Sequence, residues 1–95
     1  MPLFAILSHY DPAAADRRAS ARPAHRDYVR DHGQPIRIAG QLVDAGGAVA
    51  GAIVVLEVDS RDAAVAWAEN DPYALAGSFG ALQVLEWQIG MGGLA

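Results

Sequence analysis

Apolar residues recur along this chain at a period of two in some stretches and of three to four in others, and the changes of period mark out its elements. Residues 3–8 set Leu3, Ala5 and Leu7 against Phe4, Ile6 and Ser8, which predicts a strand buried on both faces, broken at Asp11-Pro12. Ser20 is placed to cap a helix with Pro23 in its first turn. Ala21, Ala24, His25, Tyr28 and His32 then fall on one helical face, and Gly33 ends the helix before Gln34-Pro35. Residues 36–43 and 50–58 read as strands joined by Asp44-Ala45-Gly46-Gly47, whose glycines supply the positive φ of a hairpin turn. Asp59 or Ser60 caps a second helix over 61–70, with Ala64, Trp67 and Ala68 turned inward, and Asp71-Pro72 stops it. A compact stretch over 73–80 leads to a last strand over 81–89, and Gly90-Met91-Gly92-Gly93 opens a loose tail over 90–95.

The order β-α-β-β-α-β is that of the ferredoxin-like α+β class, an antiparallel sheet with two helices on one face, and 95 residues suffice for one such domain over 1–95. Composition adds a second expectation. The chain is 53% hydrophobic and 19% charged, more apolar than one small core requires. Ile53 and Val55 point one way and Val54, Leu56 and Val58 the other, while Leu82 and Val84 oppose Leu85, Trp87 and Ile89, so both sheet faces are apolar. A helix-free face placed around Val54, Leu56, Leu85 and Trp87 predicts a homodimer packed through it.

Charge and residue usage exclude several kinds of function. The formal net charge is −4, the seven cations are all arginine, and there is no Cys, Lys or Thr. Thiolate metal sites, a cysteine nucleophile, a lysine Schiff base and a Walker-type lysine are therefore impossible. An acidic chain is a poor nucleic-acid binder, and the arginines from Arg17 to Arg30 are interleaved with Asp16, Asp27 and Asp31 at helical ion-pair spacings, the pattern of a solvated face. The longest mostly apolar run, over 45–56, is broken by three glycines and falls short of a membrane span, and residues 2–7 make a poor signal peptide. A cytoplasmic protein without a membrane partner is the expectation.

Few residues remain to carry chemistry. His25 lies on the buried helical stripe, where an imidazole is either a hydrogen-bonded core residue or a base beside a cleft. Asp71 either caps the turn that follows or, set beside His25, holds the ring through Nδ1 and leaves Nε2 to exchange a proton with a substrate. His32 suits the negative end of the helix dipole, and His9 either lines a pocket mouth or is solvated. Neither metal-ligand His spacing, nor a serine elbow, nor a dinucleotide fingerprint occurs, so neither a metal nor a cofactor is implied. Tyr28, Trp67 and Phe79 read as core.

Arg18-Ala19-Ser20-Ala21-Arg22-Pro23-Ala24-His25, then Ile38-Ala39-Gly40, Gly51, and Asn70-Asp71-Pro72-Tyr73 with Gly77 and Phe79 give the chain a resemblance to the YCII-related (YciI-like) family over nearly its whole length. The resemblance implies a dimeric ferredoxin-like fold with a His–Asp site at His25 and Asp71. One branch of that family resembles a dehydrochlorinase of a chlorinated hydroxyquinol, whose chemistry an imidazole base can assist. Where family members often have Ser after the third-strand glycine, this chain has Gly51-Ala52; if that hydroxyl binds substrate in relatives, a different substrate is expected here.

The leading expectation is thus a small dimeric enzyme acting on a small organic ligand, with His25 as general acid and base, Asp71 as its orienting partner, Arg22 holding a carboxylate or phenolate, and Tyr73 and Tyr28 as pocket walls. The alternatives are a non-catalytic binding or structural dimer, and a monooxygenase-like dimer of similar architecture. In a plain β-α-β-β-α-β fold the two helices are expected to run roughly parallel, which sends His25 and Asp71 towards opposite ends. Stagger, a fold-back after Asp71 or the second subunit must then bring them together.

Overall fold

The structure is a computed structural model describing residues 1–93; positions 94–95 of the expected tail lie outside the described residues, and Gly90 to Gly93 carry neither helix nor strand. Strand β1 (Leu3–Tyr10) leads through a 3-10 turn (Pro12–Ala14) into helix α1 (Ala15–His32). The hairpin β2 (Ile36–Val43) and β3 (Val49–Glu57) follows, then α2 (Arg61–Glu69), a single-turn helix α3 (Pro72–Leu75) and β4 (Phe79–Trp87). The sheet order is β2-β3-β1-β4 with every neighbouring pair antiparallel, as the ferredoxin-like expectation requires.

That topology corrects the expected parallel helices. Both β1 and β2 run opposite to β3, and β4 runs opposite to β1. Helix α1 returns from β1 and α2 returns from β3, so the two helices run antiparallel, and the start of α1 shares an end of the molecule with the close of α2. His25 and Asp71 meet within one chain for this reason.

Helix α1 begins five residues before Ser20, which is an interior, exposed residue and caps nothing. Asp11 and Pro12, read from the sequence as a break, are the start signal: the Asp11 carboxylate accepts the Ala13 amide at 2.9 Å, and Pro12 occupies the first position of the turn. The alanine-rich run from Ala13 has high helix propensity and carries the helix on through Pro23. Ser60 caps α2 as expected, its hydroxyl accepting the Ala63 amide at 3.1 Å. In the β2–β3 turn the Asp44 carboxylate accepts the Gly46 and Ala48 amides, and Gly47 alone takes a positive φ, of 88°. Strand β4 starts two residues earlier than expected, because Gly77, at φ 69°, closes α3 and delivers Phe79 opposite Tyr10.

The core lies between the sheet and α2. Phe4, Ile6 and Leu56 pack against Ala64 and Ala68, with Val54, Leu82 and Val84 at its margin. Register assigns the faces: Ile6 sits opposite Val54 and Val84, whereas Ala5 sits opposite Val55 and Leu85. Val54 and Leu56 therefore belong to the helix-covered face, against the expectation. The helix-free face is formed by Leu3, Ile38, Val55, Leu85 and Trp87; Leu85 and Trp87 were placed correctly. Among the described residues no helix is long and apolar enough to cross a membrane.

Candidate functional site

Strand β1 sends Phe4, Ile6, Ser8 and Tyr10 to the helix-covered face, and the first two are sealed by α2. Towards the Tyr10 end α1 stands off the sheet, and a cavity of about 450 Å³ opens between them. Ser8, Ala52, Val54 and Leu82 line it from the sheet, Arg22, His25, Arg26 and Val29 from α1, and Trp67, Ala68, Asp71 and Tyr73 from the α2–α3 segment.

Asp71 follows Asn70, the C-cap of α2, and caps α3. Its Oδ1 accepts the Tyr73 amide at 2.9 Å and faces His25 Nδ1 at 2.7 Å. The capping and dyad readings of this residue are therefore both true of one oxygen. The carboxylate has only acceptor capacity, so Nδ1 carries the shared proton and Nε2 of a neutral ring holds a lone pair. Among the described residues no group hydrogen-bonds to Nε2. The Asp71 side chain is 10% exposed and that of His25 26%, so the carboxylate is shielded while the imidazole is reachable from the cavity.

Tyr73 fixes the ring from a second direction. Its own ring stacks on His25 at 3.9 Å between centroids and 11° between planes, and its hydroxyl accepts Arg22 Nε at 3.4 Å. Further along the wall Tyr10 stacks on Phe79 and meets Tyr73 edge to face, with the Arg18 guanidinium over its outer side at 4.1 Å. Burial above all, with Tyr73 and Asp71 nearby, pushes the Tyr10 phenol up from its ordinary value, against Arg18 and Arg22.

Four of the five expected site residues, His25, Asp71, Arg22 and Tyr73, share this cavity. Tyr28 does not line it: its hydroxyl donates to the Trp67 carbonyl at 2.8 Å and ties α1 to α2. His9 is exposed and points to the other sheet face, and His32 sits in the last turn of α1, against Tyr28. The sequence reading missed Tyr10 and Arg26 and assigned Phe79 to the core; Trp67, assigned there too, packs against the core and also lines the cavity. Tyr10 was findable, because it continues the even-numbered phase of β1. Ala52, the residue after Gly51, lies on the cavity wall, and Ser8 opposite it donates to its carbonyl at 3.4 Å. Among the described residues no three His, Cys, Asp or Glu side chains gather in a metal-holding group.

Comparison with known proteins places this geometry among relatives. A family model described as the YCII-related domain matches residues 2–88. The chain is 34% identical over 86 residues to Protein YciI of Escherichia coli, covering 81% of this chain and 87% of that one. In structure it matches 5-chloro-2-hydroxyhydroquinone dehydrochlorinase (TftG) from Burkholderia phenoliruptrix, solved in complex with 2,5-dihydroxybenzoquinone, with a TM-score of 0.82, 29% identity, and 93% and 95% of the two chains covered. A Bacteroides thetaiotaomicron structure named for antibiotic biosynthesis monooxygenase matches with a TM-score of 0.59 at 11% identity, over 99% and 93% of the chains, which is a likeness of fold alone.

Proposed function

The chain belongs to the YCII-related domain family, and from that premise we propose that it is a small-molecule enzyme in which His25 acts as general base and acid and Asp71 orients it. The observation that carries this reading is the 2.7 Å contact between the two side chains at the wall of an open cavity. A purely structural pair would be sealed, whereas here the free face of the imidazole borders space large enough for a small organic ring.

In the proposed reaction Nε2 removes a proton from the substrate, and the electron pair left behind forms a new π bond. In an elimination a leaving group departs with its bonding pair; in an isomerisation the imidazolium returns the proton at another atom. Asp71 stabilises the imidazolium and keeps the working tautomer. Arg22 holds an oxygen substituent, and Tyr73 supplies an apolar wall. The dehydrochlorinase likeness directs the choice of substrate towards hydroxylated aromatic or quinonoid rings. A screen of such rings, chlorinated and unchlorinated, on the wild type, His25→Ala and Asp71→Asn tests it. Turnover is expected to fall by roughly 10²–10⁴-fold in His25→Ala, with folding intact by circular dichroism. Undiminished turnover in both variants refutes the dyad, and binding without turnover by any of the proteins favours the non-catalytic alternative.

The open sheet face supports a homodimer. Ile38, Leu85, Trp87 and Ile89 are each between 43% and 51% exposed there, an apolar patch that soluble monomers seldom leave bare. Sedimentation at micromolar concentration decides the point, and a stable monomer removes this part of the reading.

A further inference from the structure

All seven cations of this chain are arginines, and six of them have visible partners. Arg30 bonds Asp27 and Asp31, Arg37 pairs with Glu57, and Arg17 and Arg61 donate to the carbonyls of Gly77 and Val84. Arg18 lies over Tyr10, and Arg22 reaches the Tyr73 hydroxyl. Arg26 is the exception. Among the described residues it has neither hydrogen bond, nor ion pair, nor aromatic contact, and it lines the cavity next to His25 in sequence.

Its helical surroundings make that position costly rather than neutral. The residues three and four positions away are Arg22, Pro23, Val29 and Arg30, so no acidic side chain is spaced to meet it, and two like charges flank it. Asp27 beside it is turned to Arg30. Asp71, the one carboxylate among the described residues on the cavity wall, already accepts His25 Nδ1 and the Tyr73 amide. A protein with eleven acidic residues and a net charge of −4 thus has a cavity mouth carrying two arginines and no free carboxylate. Below the mouth lie aromatic rings, Tyr10, Tyr73, Phe79 and Trp67, suited to a flat ligand.

We propose that Arg26, with Arg22 one turn before it, binds the ionised oxygen group of an anionic aromatic substrate, and that this pair makes the site select charged over neutral rings. The inference rests on the reading above in taking the cavity of His25 as the substrate site, and it adds the substrate's charge and the residue that reads it.

The test is binding, so that it stands apart from turnover. Calorimetric isotherms for 4-hydroxybenzoate and 4-hydroxybenzamide, a charged and a neutral ring of nearly the same shape, are measured on the wild type, Arg26→Gln and Arg26→Lys. The wild type is expected to prefer the acid by roughly tenfold or more, as charge-assisted hydrogen bonds allow. Arg26→Gln removes most of that preference, and Arg26→Lys retains part of it. A wild type that binds both rings alike or binds neither, or an Arg26→Gln variant with the preference unchanged, overturns the proposal. If turnover survives the loss of His25 while the acid preference stands, the catalytic reading fails and the anion site does not.

Discussion

The two long helices are built on opposite plans. Helix α2 meets the sheet through Ala64 and Ala68, exposed by 0% and 2%, whose small side chains let its backbone settle onto Phe4, Ile6 and Leu56. Helix α1 is twice as long, 18 residues against nine, and buries none of its own side chains. Arg22, His25, Arg26 and Val29 turn towards the sheet without filling the space beneath them. It is held by the Tyr28–Trp67 and Trp67–His32 hydrogen bonds at one end and by Arg17, Arg22 and His25 at the other. One helix makes the core and its partner roofs the cavity, and the candidate chemistry belongs to the roof.

The largest expected effect sets Ala64→Leu against Ala24→Leu. The first forces three extra carbons into a sealed contact and costs about 1–3 kcal/mol by chemical denaturation, while the second, on the exposed side of α1, changes stability by about 0.5 kcal/mol or less. Equal losses in the two variants would break the contrast between the helices. Next comes Pro23→Ala. Pro23 lies inside α1, where it removes the amide bond to the residue four before it, so alanine is expected to stabilise the protein by about 1–3 kcal/mol and raise Tm. An unchanged or lowered Tm would mean that α1 depends on the backbone geometry that the proline ring fixes there.

The sequence exposed the sheet more fully than it exposed the roof. Alternation and turn residues placed β2 to the residue and the other strands within two, because each strand's side chains report directly which way they point. The start of α1 was misplaced because Asp11-Pro12 has two meanings: it can end a strand or open a helix, and only the alanines after it decide. The relative direction of the helices was available from strand order, yet it becomes certain only once β3 is known to lie between β1 and β2. His25 and Asp71 were identified, but their 2.7 Å contact joins residues 46 apart and has no local signature. Arg26 was hidden inside a run of alternating charge, since spacing alone does not say which arginine lacks a carboxylate.

Smaller effects sharpen the same contrast at the anchors of α1. Tyr28→Phe deletes the bond to the Trp67 carbonyl in a half-buried contact and is expected to cost about 1 kcal/mol. Amide exchange should quicken in the last two turns of α1 and leave the core-facing turns of α2 unchanged. The smallest effect concerns the other end, where Tyr10 touches Tyr73. Because burial raises the Tyr10 phenol above its ordinary value, the unfolded chain releases that proton first as the solution turns alkaline, and below the ordinary tyrosine range the group contributes no pH dependence. Stability therefore falls as pH rises through the ordinary value of 10.0 towards the raised one. Tyr10→Phe should flatten part of that decline while leaving stability near neutral pH little changed; the remainder belongs in part to Tyr28, which burial also raises. An alkaline decline equally steep in Tyr10→Phe would show that the Tyr10 phenol is as well solvated folded as unfolded, and the wall beside His25 would then be open to water at that point.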